Sequence, residues 1–382
     1  MKPFNTFFMG GYECADHINR SGERVDLVKV TQHDIRVIED YEALSAIGIK
    51  TVREGICWSR VETSPGVFDF SEVKNRMQAA EIFGIQQIWD LIHFGYPDGI
   101  YPTHPHFCDR FVQLCEAFTL FYKENSKQPL FVVPINEISF LSWHSGDVRG
   151  TVPFAVNSGW DIKYHLCKAA ILGIKTMKNI NPECCIIMVE PLVQIHACDP
   201  GNLYQAMDLN ENQFQAMDII AGRMCPELGG SEDLLEILGF NYYWNCQWEV
   251  TGEPLDWPDI QQRRIPFSEL LKFAYERYQK PLFISETGHF GSGRVEWLEE
   301  ISAQCLKAKK SGVDLRGICI YPVTDRPDWD DLNKYSQCGI WDLDENGNRI
   351  PHHEYINAIL LAQSKFNKKS ILNHVADFLY NV

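Results

Sequence analysis

The sequence predicts an α/β fold, a single (β/α)8 TIM barrel, and three observations carry that expectation. Short β-rich runs ending in polar residues alternate with longer segments of helical period along the whole chain. Eight such runs can be read. The length, 382 residues, exceeds the usual single-domain size but suits one barrel with one large core.

The strands are expected at FFMGG around Phe7, KTVREGICW from Lys50, IQQIWDLIHF from Ile85, LFVVPINE from Leu130, CIIMVEPLV from Cys185, EILGFNYYW from Glu236, PLFISETG from Pro281 and RGICIYPVTD from Arg316. The first helix, near Thr31 to Ile47, places Ile35, Ile38, Tyr41 and Leu44 at three-residue steps with charges between them, as a helix covering a barrel would. Further helices are expected over Ser71 to Phe83, Phe107 to Tyr122, Ile162 to Met177, Asn212 to Ile220, Phe267 to Tyr278, Val295 to Ala308 and Glu354 to Ala362. Gly48, Gly84 and Gly312 fall just past helix ends, where a left-handed cap favours glycine. The barrel is expected to occupy residues 1–369 as one catalytic domain, with 370–382 a tail or short helix.

Composition narrows the partners. With 45% hydrophobic residues there is material for a large core, and the net charge of −16 disfavours nucleic acid and anionic membranes. A neutral or cationic small substrate fits better. The thirteen cysteines are scattered, with no CxxC pair, and read as reduced, buried thiols. No basic stretch followed by a long apolar one opens the chain, and no apolar run reaches the ~18 residues of a membrane span, so a cytoplasmic protein is expected.

In such a barrel the catalytic groups sit where strands end at the C-terminal face. Two carboxylates occupy such positions, Glu137 ending the fourth strand and Glu286 ending the seventh. Strands three apart in a ring of eight aim these carboxyls across the mouth. Glycosidic cleavage uses such a pair, one acid protonating the leaving oxygen while the other attacks the anomeric carbon, and a gap of about 5 Å predicts retention.

With these residues in view, the chain resembles the clan A glycoside hydrolases, and is most similar to glycoside hydrolase family 1, the β-glucosidase family, over residues 5 to about 365. The family's Asn-Glu-Pro is matched by Asn136 and Glu137, with Ile138 in place of proline. Its Thr-Glu-Asn-Gly is matched by Ser285, Glu286, Thr287 and Gly288. Its Asn-Tyr-Tyr appears as Asn241, Tyr242 and Tyr243, its Arg-Phe-Ser before a Trp as Arg53 to Trp58, and its strand-three His as His93.

The resemblance implies Glu137 as acid/base and Glu286 as nucleophile. Arg53 would neutralise Glu286, Tyr243 would donate a hydrogen bond to it, Asn136 would bind the sugar 2-hydroxyl, and His93 another hydroxyl. Asn241 would join the substrate-binding set, and Trp329 would offer a stacking face. Three positions depart from the family. Its strand-one glutamine falls on or near His17, its strand-eight Trp on Tyr321, and its bidentate Glu on the shorter Asp328. The catalytic machinery therefore looks kept and the glycon pocket changed, which puts β-glucoside specificity in question. Some relatives act on 6-phospho-sugars, but a carboxylate at Asp328 would repel a phosphate, and Lys334 and Tyr335 depart from that subgroup's pattern. Trp143, His144 and Trp160, after strand four, could replace trimmed aglycone loops or simply pack there.

No phosphate-binding glycine loop follows strand one, and the His104/His106 and His352/His353 pairs lack a credible third ligand. No metal and no organic cofactor is expected. A transglycosylase using the same covalent intermediate, and a carbohydrate-binding barrel without catalysis, remain as alternatives.

Overall fold

The computed structural model describes residues 3–380 of the chain. Eight parallel strands close into a barrel: β1 (Phe8–Gly11), β2 (Thr51–Gly55), β3 (Gln86–Ile92), β4 (Phe131–Ile135), β5 (Cys185–Pro191), β6 (Ile237–Asn241), β7 (Leu282–Thr287) and β8 (Leu315–Ile320). Each lies within a run expected from the sequence, except that β8 begins one residue earlier, at Leu315. β1 pairs with both β8 and β2, so every strand has two neighbours and no edge is left open.

The main covering helices are α1 (His33–Ala46), α2 (Ser71–Phe83), α3 (Phe107–Asn125), α4 (Ile138–Gly146), α5 (Gly159–Ile180), α6 (Gln215–Ile220), α7 (Phe267–Tyr278), α8 (Gly293–Lys310) and α9 (His353–Tyr380). The sequence pattern does not separate α4, whose apolar residues carry little periodicity, nor the helix Leu203–Asn212 ahead of α6. Residues 381–382, and the side chains of the expected tail segment 370–382, lie outside the described residues.

The face of α1 differs from expectation. Ile35 and Ile38 are 75% and 47% exposed, while His33, Val37, Asp40, Tyr41 and Leu44 are buried. A run of strict three-residue steps drifts off a helix of 3.6 residues per turn, and the buried set follows the i, i+3/i+4 track instead.

The barrel interior is a separate apolar plug formed by Met9, Ile88, Val133, Ile187, Phe283 and Cys319 from different strands, with Phe4 closing the bottom. Each large apolar side chain buried there stabilises the fold by roughly 1.5–3 kcal/mol. The period of two sends alternate residues the other way, into the layer under the helices. On β2 that alternation separates two charges. Arg53 enters the barrel mouth, whereas Glu54 points outward to accept from Tyr41, His33 and Arg76 at 2.6, 2.9 and 2.8 Å.

All thirteen cysteines are free thiols. They are buried except for half-buried Cys108, Cys185 and Cys225 and exposed Cys198. No helix among the described residues is long and apolar enough to cross a membrane.

Candidate active site

The strand ends deliver the polar residues to one mouth. The register between β7 and β6 shifts between Ile284 and Glu286, and the register to β8 shifts between Ile284 and Thr287. Phe283 belongs to the barrel interior and Ile284 to the outer layer, so strict alternation would turn Glu286 outward. The irregularity re-aims it into the mouth.

There Glu286 Oε1 accepts from Arg53 Nη1 at 2.8 Å and Oε2 from Tyr243 OH at 2.8 Å. Arg53 is fully desolvated and shares its other donors with Asp90 and with Asn136 Oδ1, the latter at 3.0 Å. This one guanidinium therefore ties β2, β3, β4 and β7 together. Burying it without these partners would cost several kcal/mol.

Glu137 leaves β4 with φ 47°, in the left-handed region, and caps α4. Cys57 and Phe94, just past β2 and β3, also have positive φ, at 56° and 70°. Non-glycine residues held there cost about 1–3 kcal/mol each, and such strain gathers at functional sites. Burial, then the neighbouring Glu286 charge, push the half-buried Glu137 carboxyl well above its usual value, with Glu190 adding to the rise and Asn241 and Arg53 opposing it. Asn241 Oδ1 accepts from Ser285 Oγ at 2.6 Å, while the buried Nδ2 atoms of Asn136 and Asn241 make no hydrogen bond of normal geometry.

His93 Nδ1 meets Asp90 at 2.9 Å, and its ring lies parallel to Tyr321 at 5.9 Å between centroids. Burial pulls the imidazole down, but the Asp90 hydrogen bond and the charges of Glu13 and Glu286 outweigh it and the net direction is up. Tyr321 fits because a Cβ on Gly11 would come within 2.2 Å of its ring and one on Gly288 within 2.3 Å of its carbonyl oxygen.

The departures found in sequence resolve unevenly. His17 is buried, but it stands edge-on to Trp329 at 4.7 Å and near His144, in an aromatic wall with Phe94 and Phe140. Burial, then His144, pull it down to about 3, so it acts as a neutral ring. Asp328 joins neither group, since its Oδ1 accepts from Asp330 N at 2.9 Å in a local turn. Trp143 and Trp160 are 48% and 47% exposed. Among the residues singled out in the sequence, then, Arg53, His93, Asn136, Tyr243, Glu286 and Tyr321 are joined by direct contacts, and Asn241 and Glu137 adjoin them.

Glu13, Asp90 and Arg326 complete the group and are not singled out by the sequence reading. Glu13 accepts from Tyr321 OH at 3.2 Å, lies 3.7 Å from His93 Nε2 and pairs with Arg326 Nε at 3.2 Å. Ligand atoms of Cys14, Asp90 and His93 also fall within 4.8 Å of one another, a juxtaposition hidden by their sequence separation. Arg53 already holds the Asp90 carboxylate, which also meets His93, and burial pushes the Cys14 thiol well up, so this trio does not suit a cation.

A closed parallel barrel carrying two glutamates at its C-terminal mouth, one tied to an arginine and a tyrosine, is an arrangement that could carry out glycosidic cleavage. The chain is similar to glycosidases of glycoside hydrolase family 1. No protein-family model matches it. The aryl-phospho-β-D-glucosidase BglA of Bacillus subtilis is 24% identical over 327 residues, 69% of this chain and 67% of that protein. The 6-phospho-β-glucosidase AscB of Escherichia coli is 21% identical over 311 residues, 66% of this chain and 64% of that protein. The alignments thus span about two thirds of the relatives' length. The family 1 β-glucosidase of Thermotoga maritima superposes with a TM-score of 0.74 at 14% identity, over 94% of this chain and 98% of that one. Its complex with glucoimidazole gives 0.74 at 15% identity over the same shares. These structural likenesses establish the barrel.

Proposed function

We propose that this protein is a retaining glycosidase that cleaves β-linked glycosides by double displacement, with Glu286 as nucleophile and Glu137 as acid/base. The observation that carries the reading is the unequal environment of the two carboxyls. Glu286 has one oxygen on Arg53 and one on Tyr243, which aligns it for attack, whereas burial and the Glu286 charge favour a protonated Glu137. Such a pair gives one acid and one nucleophile at the same pH. Bond cleavage would yield a glycosyl-Glu286 ester, and Glu137 would then take the proton of the attacking water.

The glycon we infer is an uncharged sugar. Arg53 and Arg326, the arginines joined to Glu286 and Glu13, are already paired with these carboxylates, which leaves them poorly disposed toward a phosphate. The curated relatives carry phospho-glucosidase names, so the choice is open to direct test. The free thiols fit a cytoplasmic setting.

Aryl β-glycosides that differ only in the sugar, each assayed with and without a 6-phosphate, test the reading. Turnover of a neutral glycoside that disappears in Glu286→Gln is the expected result. Retention of full activity by Glu286→Gln, or a marked preference for the phosphorylated series, contradicts it.

A further inference from the structure

Glu190 is a third carboxylate behind the two already described. It lies on β5, is 1% exposed, and among the described residues makes no salt bridge. Both its oxygens receive the backbone N–H of Ser139, at 3.1 and 3.3 Å, in the first turn of α4. That turn begins at Glu137, whose own N–H donates to Val189 O at 3.0 Å, one residue before Glu190. Neighbouring residues of β5 therefore stitch down the two sides of the left-handed turn at Glu137. A buried carboxylate is costly unless hydrogen bonds or a partner charge offset the loss of water, and the N–H groups of a helix N-terminus help to tolerate such a charge.

We propose that Glu190 is a positioning residue for Glu137: it fixes the strained turn that aims the Glu137 side chain and, through its own negative charge, helps keep the Glu137 proton in place. This rests on the glycosidase reading for its consequence in catalysis. The contact and the charge coupling do not.

The groups that face Glu190 support both parts. From α5 come Lys163, whose Nζ is bound to Gln215 at 2.9 Å, and the neutral Cys167 thiol. From the β4 end comes Glu137, itself beside Glu286 and Arg53. Burial pushes Glu190 up to about 7, with the Ser139 N–H and Lys163 opposing. Below that pH the carboxyl is neutral. Above it the carboxyl becomes an anion that resists ionisation of Glu137, so wild-type protein keeps its acid protonated to higher pH than it otherwise would.

Two variants separate position from charge. Glu190→Gln keeps an acceptor for the Ser139 N–H and removes the charge, while Glu190→Ala removes both. In Glu190→Gln the Glu137 carboxyl, followed by carbon NMR and assigned by its loss in Glu137→Gln, should titrate at lower pH by about half a unit or more. The basic limb of kcat/KM for an aryl glycoside with a poor leaving group should move the same way, with little change near pH 6. Glu190→Ala should in addition lose about tenfold or more on poor leaving groups and little on very good ones.

A Glu137 titration that does not move in Glu190→Gln overturns the proposal whatever the activity, and needs only the near-isosteric variant to fold. A wild-type protein that hydrolyses no aryl glycoside, with a Glu137 titration that does move, removes the glycosidase reading and leaves the coupling intact.

Discussion

Tyr321 and Glu13 meet at the barrel mouth where the paired strands β8 and β1 end, the Tyr321 hydroxyl donating to Glu13 Oε1 at 3.2 Å while Arg326 holds the other carboxylate oxygen. Glu13 follows β1 by two residues, and it rather than His17 shares the His93 and Tyr321 side of the site. An anionic carboxylate only accepts, so a sugar bound there must present hydroxyl donors to it.

Glu13→Ala should therefore lower kcat/KM by about 10- to 150-fold, the equivalent of about 1.5–3 kcal/mol for a charged hydrogen bond. Asp328→Ala should cost less than about threefold, because its side-chain contact is the local one from the Asp330 amide to Oδ1 and, among the described residues, none joins it to the Glu286 or Glu13 group. Steady-state kinetics on one aryl glycoside decide the order, and a larger loss in Asp328→Ala would reverse the assignment.

Tyr243→Phe removes the phenol from Glu286 Oε2 and leaves the packing of the ring. The expected loss is about 10- to 150-fold in kcat, from one charge-assisted hydrogen bond of about 1.5–3 kcal/mol, with thermal stability close to wild type. A fall in KM-limited binding alone, with kcat unchanged, would show that Tyr243 serves the substrate and not the nucleophile.

Stability should have its own pH signature, set below the site by His33, Asp40 and Glu54. Burial pulls His33 down, but Glu54 and Asp40 raise it beyond its usual 6.5; burial lifts Glu54, but His33 and Arg76 bring it to about 2. The raised histidine contributes stability that is complete below 6.5 and is lost as pH rises through its folded value. The depressed glutamate contributes stability present above 4.5 and lost as pH falls toward about 2. His33→Gln should thus lower Tm most between about pH 4.5 and 6.5, with the gap to wild type closing at higher pH. A gap that widens above pH 8 would contradict the charged state of His33.

The barrel and much of the site were legible in the sequence because each strand's polar end interrupts an apolar run, as in VVPINE and FISETG. What escaped was of one kind. Glu13, Asp90 and Glu190 are acids inside or at the edge of such runs, and each is satisfied by a partner far along the chain, Asp90 by Arg53 and Glu13 by Arg326. An acid inside a buried strand must be paired, but spacing along the chain cannot name the partner. Likewise Asp328 occupies the expected register, yet a two-residue turn to Asp330 engages its Oδ1, a local hydrogen bond that counting positions does not reveal.

The double-displacement chemistry rests on Glu286 attacking the sugar, and the stereochemistry of a rescued reaction reports this directly. Glu286→Gly opens the space beside Arg53 and Tyr243, where azide can enter and attack the anomeric carbon of an aryl β-glycoside in place of the carboxylate. With Glu286 as the nucleophile, the variant should be inactive in water, and added azide should restore aglycone release and yield the α-glycosyl azide, identified by NMR. A β-glycosyl azide, or hydrolysis by Glu286→Gly at the wild-type rate without azide, would contradict it.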